Sequence, residues 1–303
     1  MIAALLLALG CFLTAYLFSA FTFSLFWYEA ANTPYGETLK RLAGGNIGRL
    51  LLKGVLWGVF SQGAVLFFLP CAFFRRMWNP PPDLKSTLPT VILLHGVFHN
   101  RSAWVVYRRR LRRAGFTNIY AWNFPMARRP FEELVGEFAA WLERVAAPLP
   151  GRPVVLIGHS LGGLIARAYA QGPQAAPALA SIITLGTPHQ GSKLAALGPR
   201  VSCSEELLYR GPAIERLERG VLERASRNDG IDRLAIYSPI DNMVLPPAAL
   251  KVPLPGWTHR ETSPISHVAM LYHGPTIAIV MDHLAATFPK GSDQNACQHT
   301  GNC

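Results

Sequence analysis

The stretch that most constrains this chain is Pro153-Val-Val-Leu-Ile-Gly-His-Ser-Leu-Gly-Gly-Leu-Ile-Ala-Arg-Ala-Tyr169. Val154 to Ile157 is a short apolar run rich in β-branched residues and predicts a fully buried strand, while Leu161, Leu164, Ile165 and Ala168 share one face of a helix. Between them stands Gly158-His159-Ser160-Leu161-Gly162, a G-x-S-x-G pentapeptide. A serine set between strand and helix with almost no loop is held in a strained backbone conformation, with its hydroxyl raised above the sheet. The glycines two places before and after it let strand and helix pass where a Cβ would clash. Ser160 then lies at a helix N-terminus, whose free N–H groups favour developing negative charge. These features predict a nucleophile.

A serine hydroxyl needs a base, and the base an orienting carboxylate. From about residue 84 to 290, strand and helix signals alternate, as in a mostly parallel sheet covered on both faces. Strands are expected at Thr90–Leu94, Thr117–Trp122, Val154–Ile157, Ser181–Leu185 and Arg233–Ser238, with helices at Ala103–Arg113, Phe131–Ala147 and Pro275–Thr287. In such a sheet, reacting groups come from the carboxyl ends of strands. Asp241 follows the 233–238 strand at once, whereas Asp229 and Asp232 precede it at the wrong end. His267 stands before the last helical region; His259, His273 and His283 are its rivals, and His283 falls inside the last helix. The order Ser160, Asp241, His267 favours His267. The oxyanion of a tetrahedral intermediate needs N–H donors, and Leu161 and Val97 are the candidates. Val97 follows His95-Gly96, a tight turn after the first core strand in which His95 has a supporting role.

Leu93-Leu-His-Gly96, Gly158-His-Ser-Leu-Gly-Gly163, Thr184-Leu-Gly-Thr-Pro-His189 with Gly191-Ser192, Asp241, and Ser266-His-Val-Ala-Met-Leu271 together resemble the α/β-hydrolase superfamily. Within it they are most similar to bacterial triacylglycerol lipases and to the lipase-like branch that includes GPI-inositol deacylases. The resemblance implies an α/β-hydrolase fold over residues 91–290 and ester or thioester hydrolysis through an acyl-enzyme. Catalysis would fall to Ser160, Asp241 and His267, and the oxyanion hole to Val97 and Leu161. His95, Gly96, Gly158, His159 and Gly162 would support them. The turn His95-Gly96-Val97-Phe98 lacks the repeated glycines of the His-Gly-Gly-Gly esterases and resembles the lipase type of loop. Acyl transfer by the same residues, and a catalytically silent scaffold, are the competing readings. No cofactor is expected, and no metal cluster has ligand spacing.

The first third of the chain lies outside that resemblance. Half of all residues are hydrophobic and 16% charged, with mean hydropathy +0.21. Met1 to Tyr28 holds no charged side chain and as a helix would be roughly 40 Å long, enough to cross a ~30 Å hydrocarbon core. The absence of a basic residue ahead of it and the poor cleavage region Glu29-Ala-Ala-Asn32 argue against a secretory signal. Residues 1–28 are therefore expected to be a transmembrane helix, 29–50 a loop, 51–76 a second transmembrane or interfacial helix, and 77–90 a proline-rich linker. Gly54-Val-Leu-Trp-Gly58 permits close helix packing. Residues 189–230 are expected to hold a cap, whose Ile214, Leu217, Val221 and Leu222 form an apolar stripe that suits a lid or a packed helix equally. A polar tail covers 291–303, where Cys297 and Cys303 could close a loop.

The formal charge of +11 is concentrated in Arg108–Arg113 and Arg128-Arg129. Beside a bilayer, anionic headgroups are the matching partner; otherwise the patch is solvated surface. A nucleic-acid role lacks a binding motif. The expected partners are thus a lipid or acyl-ester substrate and a membrane, with a bacterial inner membrane as location and the side of the catalytic domain open.

Overall fold

In the computed structural model, residues 2–124, 129–172, 175, 178–197, 206–224 and 230–289 are described. The tail cysteines, Cys203, Arg128 and Asp229 lie outside them.

Six strands form one parallel sheet: β1 Thr90–Leu94, β2 Ile119–Trp122, β3 Val154–His159, β4 Leu179–Leu185, β5 Asp232–Tyr237 and β6 Thr258–Glu261, in the order β2-β1-β3-β4-β5-β6. The direction of winding reverses between β1 and β3, so their carboxyl ends flank the crevice where open α/β sheets place their ligands. The five expected strands are present, β2 starting two residues late. The sixth was not foreseen: Thr-His-Arg-Glu is polar throughout and three of its four residues are exposed, so no apolar run announces it. It holds on by backbone pairing along β5 alone.

Helices cover both faces. On one, α6 Phe131–Ala146 and α7 Leu161–Gln171 enclose a core built on Leu94, Leu156, Phe138 and Leu164. On the other, α5 Val105–Arg113 and α9 Gly274–Thr287 cover Val91, Leu93, Val155 and Ile157. The alternation of buried residues between two opposite layers is what a strand sealed on both faces requires. The arginine run divides: Arg108 is buried, donates to the Ile119 carbonyl at 2.9 Å and lies over the Trp78 ring, while Arg109, Arg110, Arg112 and Arg113 are exposed.

Within 189–230, α8 Pro212–Arg224 packs on the domain, with Ala213, Ile214 and Leu217 buried in the same core as α7. Ile214 and Leu217 of the stripe thus pack on the domain in this structure. The side chains of Val221 and Leu222 lie outside the described set.

The N-terminal region departs from a simple anchor and linker. Helix α1 runs Ile2–Ala31, and the stretch expected as a loop contains a third element, α2 Tyr35–Ala43, before α3 Ile47–Phe68 begins four residues early. Tyr35–Ala43 is amphipathic and buries Leu39 against Phe26 and Leu50, which is why it is helical despite its charges. A 3₁₀ stretch, Leu69–Phe73, and α4 Arg75–Trp78 lead to the prolines. Helices α1 and α3 are long and apolar enough to cross a membrane. They pack antiparallel at Gly54 and Gly58: an added Cβ on Gly54 would lie 2.5 Å from the Phe23 ring, and one on Gly58 would collide with Ser19. The pair is docked on the sheet domain. Ile240 and Leu245 are buried among Phe23, Phe26 and Val55; Tyr35 donates to the Pro239 carbonyl at 2.7 Å; Lys193 pairs with Glu29.

Gly58→Leu is expected to force α1 and α3 apart, because a Cβ there already meets Ser19 Oγ and lies 3.0 Å from Ser19 Cβ, and rotating the hydroxyl away leaves no room for the rest of a leucine side chain. Limited proteolysis of the folded chain should then cut within residues 32–46 at least about tenfold faster than in wild type, a loss of roughly 1.4 kcal/mol in local docking.

Candidate active site

Ser160 occupies the turn between β3 and α7 with φ +54° and ψ −122°, a conformation strained for a residue with a Cβ. The turn is held on both sides, by the Ser160 N–H donating to the Leu185 carbonyl at 2.9 Å and by the Gly163 N–H donating to the Ser160 carbonyl at 3.0 Å. Gly158 and Gly162 are needed for the reason anticipated. A Cβ on Gly158 would sit 2.5 Å from the Gly163 nitrogen, and one on Gly162 would collide with the Leu94 carbonyl of β1.

Asp241 follows β5 and is fully buried. Its Oδ2 lies 2.8 Å from His267 Nδ1, and its Oδ1 accepts the N–H groups of Met243 and Val244 at 2.9 and 3.1 Å. Three donors thus offset the desolvation of the carboxylate. With Nδ1 given to Asp241, Nε2 is the ring nitrogen left for a second partner. Ser160 and His267 line one cavity, with no hydrogen bond between their side chains. Of the rival histidines, His259 accepts from the Val252 N–H, His273 caps α9 through the Thr276 N–H, and His283 pairs with Asp232 at the amino end of β5. The structure therefore brings together Ser160, Asp241 and His267 and leaves the rivals outside.

Val97 and Leu161 flank Ser160 from two elements. Leu161 is the first residue of α7, so its N–H has no partner within the helix. The Val97 N–H is aimed by its neighbour. Phe124 N–H donates to His95 Nε2 at 3.3 Å, which places the ring proton on Nδ1, from where it donates to the Gly96 carbonyl at 2.9 Å. His99 N–H donates to the same carbonyl at 3.2 Å. A trans peptide is planar, so fixing the Gly96 C=O turns the Val97 N–H to the opposite side. A Cβ on Gly96 would lie 2.9 Å from the Ser160 Cβ, which shows how closely this turn passes the serine. The next residue, Phe98, is also held at positive φ, +58°, with its ring exposed at the cavity.

The histidines behind the site are neutral. Burial lowers His95 to about 4 and His99 to about 3, and it takes His159 well below the ordinary value. His267 therefore has Asp241 beside it and no competing imidazolium.

Several functional contacts were not foreseen. His159, expected only as support, donates from Nε2 to the His267 carbonyl at 3.2 Å. Asn242 Oδ1 accepts the His267 N–H at 3.0 Å, while its amide donates to Thr22 Oγ of α1 at 2.7 Å. Gly186, at φ +53°, leaves room for the Asp241–His267 pair; a Cβ there would come within 3.0 Å of Asp241 Oδ2 and 3.1 Å of His267 Nδ1. The adjacency of Asn242 to Asp241 was a signal for the second contact, but nothing local pointed to Thr22.

The cavity measures about 790 Å³ and is largely apolar, lined near the serine by Val97, Leu161, Leu164, Leu207 and Val268. A serine on a strained strand-to-helix turn, with a histidine and a carboxylate delivered after later strands of a parallel sheet, is the arrangement of the α/β-hydrolase class. The alpha/beta hydrolase family model matches residues 91–287, and the chain belongs to that family. No curated protein matches the sequence. Among solved structures, the chain is similar to the mature Bacillus licheniformis lipase BlEst2 at 17% identity, covering 68% of this chain and 96% of that one with a TM-score of 0.54. It is likewise similar to Aspergillus fumigatus lipase B at 15% identity, covering 67% and 53%, TM-score 0.54. The match to phospholipase PlaB from Legionella pneumophila has 18% identity and a TM-score of 0.43, and covers 49% of this chain and 38% of that protein, so the chain spans well under half its length.

Because His95 aims the Val97 N–H, His95→Ala is expected to lower kcat for an ester substrate about 10- to 100-fold, somewhat less than outright loss of an oxyanion donor, with KM little changed. An unchanged kcat in steady-state hydrolysis would remove Val97 from the oxyanion hole.

Proposed function

We propose that this protein is a membrane-associated serine hydrolase that cleaves carboxylic esters of lipid-like substrates. One observation carries the reading: the buried Asp241–His267 pair at 2.8 Å shares an apolar cavity with a serine held in a strained turn. The space around the pair is largely apolar and suited to hydrocarbon, as the acyl part of an ester needs.

In the proposed reaction, Ser160 Oγ attacks the ester carbonyl as its proton passes to His267 Nε2. The resulting oxyanion is held by the N–H groups of Val97 and Leu161. Asp241 keeps the proton on Nδ1 and stabilises the imidazolium without accepting a proton itself. His267 then gives its proton to the departing alkoxide, leaving an acyl group on Ser160. A water molecule, deprotonated by the same imidazole, attacks that acyl group; the acyl–Oγ bond then breaks, the imidazolium returns its proton to Ser160 Oγ, and the acid is released. His159 and Asn242 hold the His267 backbone so that the ring meets both partners. The long apolar helices α1 and α3 support placement at a membrane.

Active-site labelling tests this reading. A fluorophosphonate should modify the detergent-solubilised protein on Ser160, and Ser160→Ala and His267→Ala should each abolish the modification. A folded wild-type chain that stays unlabelled would replace the hydrolase with a silent scaffold.

A further inference from the structure

The cavity that ends at Ser160 takes part of its lining from Ser192, Leu194, Ala195 and Leu207 of the 189–230 segment. Among the described residues its outer wall is the N-terminal hairpin: Leu7, Gly10 and Thr14 from α1, and Gln62, Val65 and Leu66 from α3. At its inner end Ser19 and Gly58 lie beside Ser266 and His267. From Ser19 out to Leu6, α1 advances by about 20 Å, more than the ~15 Å half-thickness of a hydrocarbon core. Beside Gly10 the groove is open, since a Cβ added there would touch nothing within 4 Å.

The hairpin's other face is bare. Phe12 and Leu17 on α1 and Leu56, Phe60 and Phe67 on α3 are each more than half exposed. A contiguous apolar face of this kind belongs in a hydrocarbon environment. Helix α3 is also held along the hydrolase, from Gly54 against Ile240, through Trp57 edge-on to His273, to Phe68 stacked on Tyr272, about 21 Å of helix. A helix docked lengthwise on a water-soluble fold presents one side to lipid, which suits insertion into a single leaflet better than crossing both.

From this we infer that the hairpin is the acyl-binding wall of the enzyme, and that its substrate is a lipid still resident in the bilayer. The outer face of the hairpin sits in one leaflet. One acyl chain of a neighbouring lipid moves sideways into the groove between α1 and α3, which brings its ester carbonyl up to Ser160. Apolar lining along the groove replaces the hydrocarbon the chain leaves, so transfer costs little. The Thr22–Asn242–His267 connection keeps groove and reacting groups in register, because a shift of α1 would pull on the residue that holds the His267 N–H. The inference rests on the serine-hydrolase reading and adds where the acyl chain lies and whence it comes.

The test uses the full chain in phosphatidylcholine nanodiscs and a fluorophosphonate whose long alkyl chain ends in a diazirine. After reaction at Ser160, irradiation and peptide mapping locate the end of the chain. Cross-links within residues 6–15 of α1 and 61–66 of α3 are expected. Cross-links on α8, or on bilayer lipid alone, from a chain that is bound to Ser160 would overturn the groove assignment and leave the hydrolase intact. Failure of Ser160 to react would overturn both. Thr14→Trp, which narrows the outer groove, should lower the ratio of long-chain to ethyl fluorophosphonate labelling rates at least about tenfold. An unchanged ratio would count against the groove. Because the mapping is done on the unsubstituted chain, misfolding of the variant cannot stand in for either result.

Discussion

A Cβ at Gly162 would collide with the Leu94 carbonyl oxygen, and one at Gly158 would lie 2.5 Å from the Gly163 nitrogen. That three-way approach of β1, β3 and α7 is the constraint on which the site depends. It leaves no room for a loop, so Ser160 must turn the chain alone, at φ +54°. The same compression brings the β1 turn within reach of the serine, where His95 and His99 pin the Gly96 carbonyl and thereby aim the Val97 N–H. The positions proposed for the nucleophile and the oxyanion donors thus follow from one backbone packing, and any side chain larger than hydrogen at either glycine would displace all of them together.

The second half of the site is delivered from further along the sheet. Asp241 and His267 arrive after β5 and β6, and they meet under Gly186, whose missing Cβ admits the pair. Burial removes the competing charges, since His95, His99 and His159 are all held neutral. The imidazolium proposed to form at His267 would therefore face a single carboxylate, already saturated by the N–H groups of Met243 and Val244.

Much of this was legible in the sequence because a parallel sheet converts chain order into spatial order. Val154–Ile157 is apolar on both faces, so it had to be a central strand, and Asp241 lies at the correct end of the next strand but one. What was hidden has physical reasons. The sixth strand is polar and held by backbone pairing, which leaves no trace in hydropathy. The stripe on α8 fits a lid as well as a packed helix, and only contact with α7 distinguishes them. The charged residues of α2 disguised a helix that is stabilised by burying Leu39. Hydropathy marked the hairpin as apolar but carried no sign of which face packs on the hydrolase, because it measures how much surface avoids water and not which way that surface points. Thr22, 220 residues from Asn242, could not be paired with it by any local rule.

The hairpin and the hydrolase are therefore one structural unit, joined by the cluster around Phe26 and Ile240 and by the buried Thr22–Asn242 bond. If Ser160 is the nucleophile of an ester hydrolase, hydrolysis of a long-chain ester in lipid nanodiscs must depend on its hydroxyl. Wild type is expected to turn over the ester measurably and Ser160→Ala to lose on the order of 10³-fold or more, with no change in fold by circular dichroism. A Ser160→Ala protein that hydrolyses the ester at the wild-type rate would contradict it.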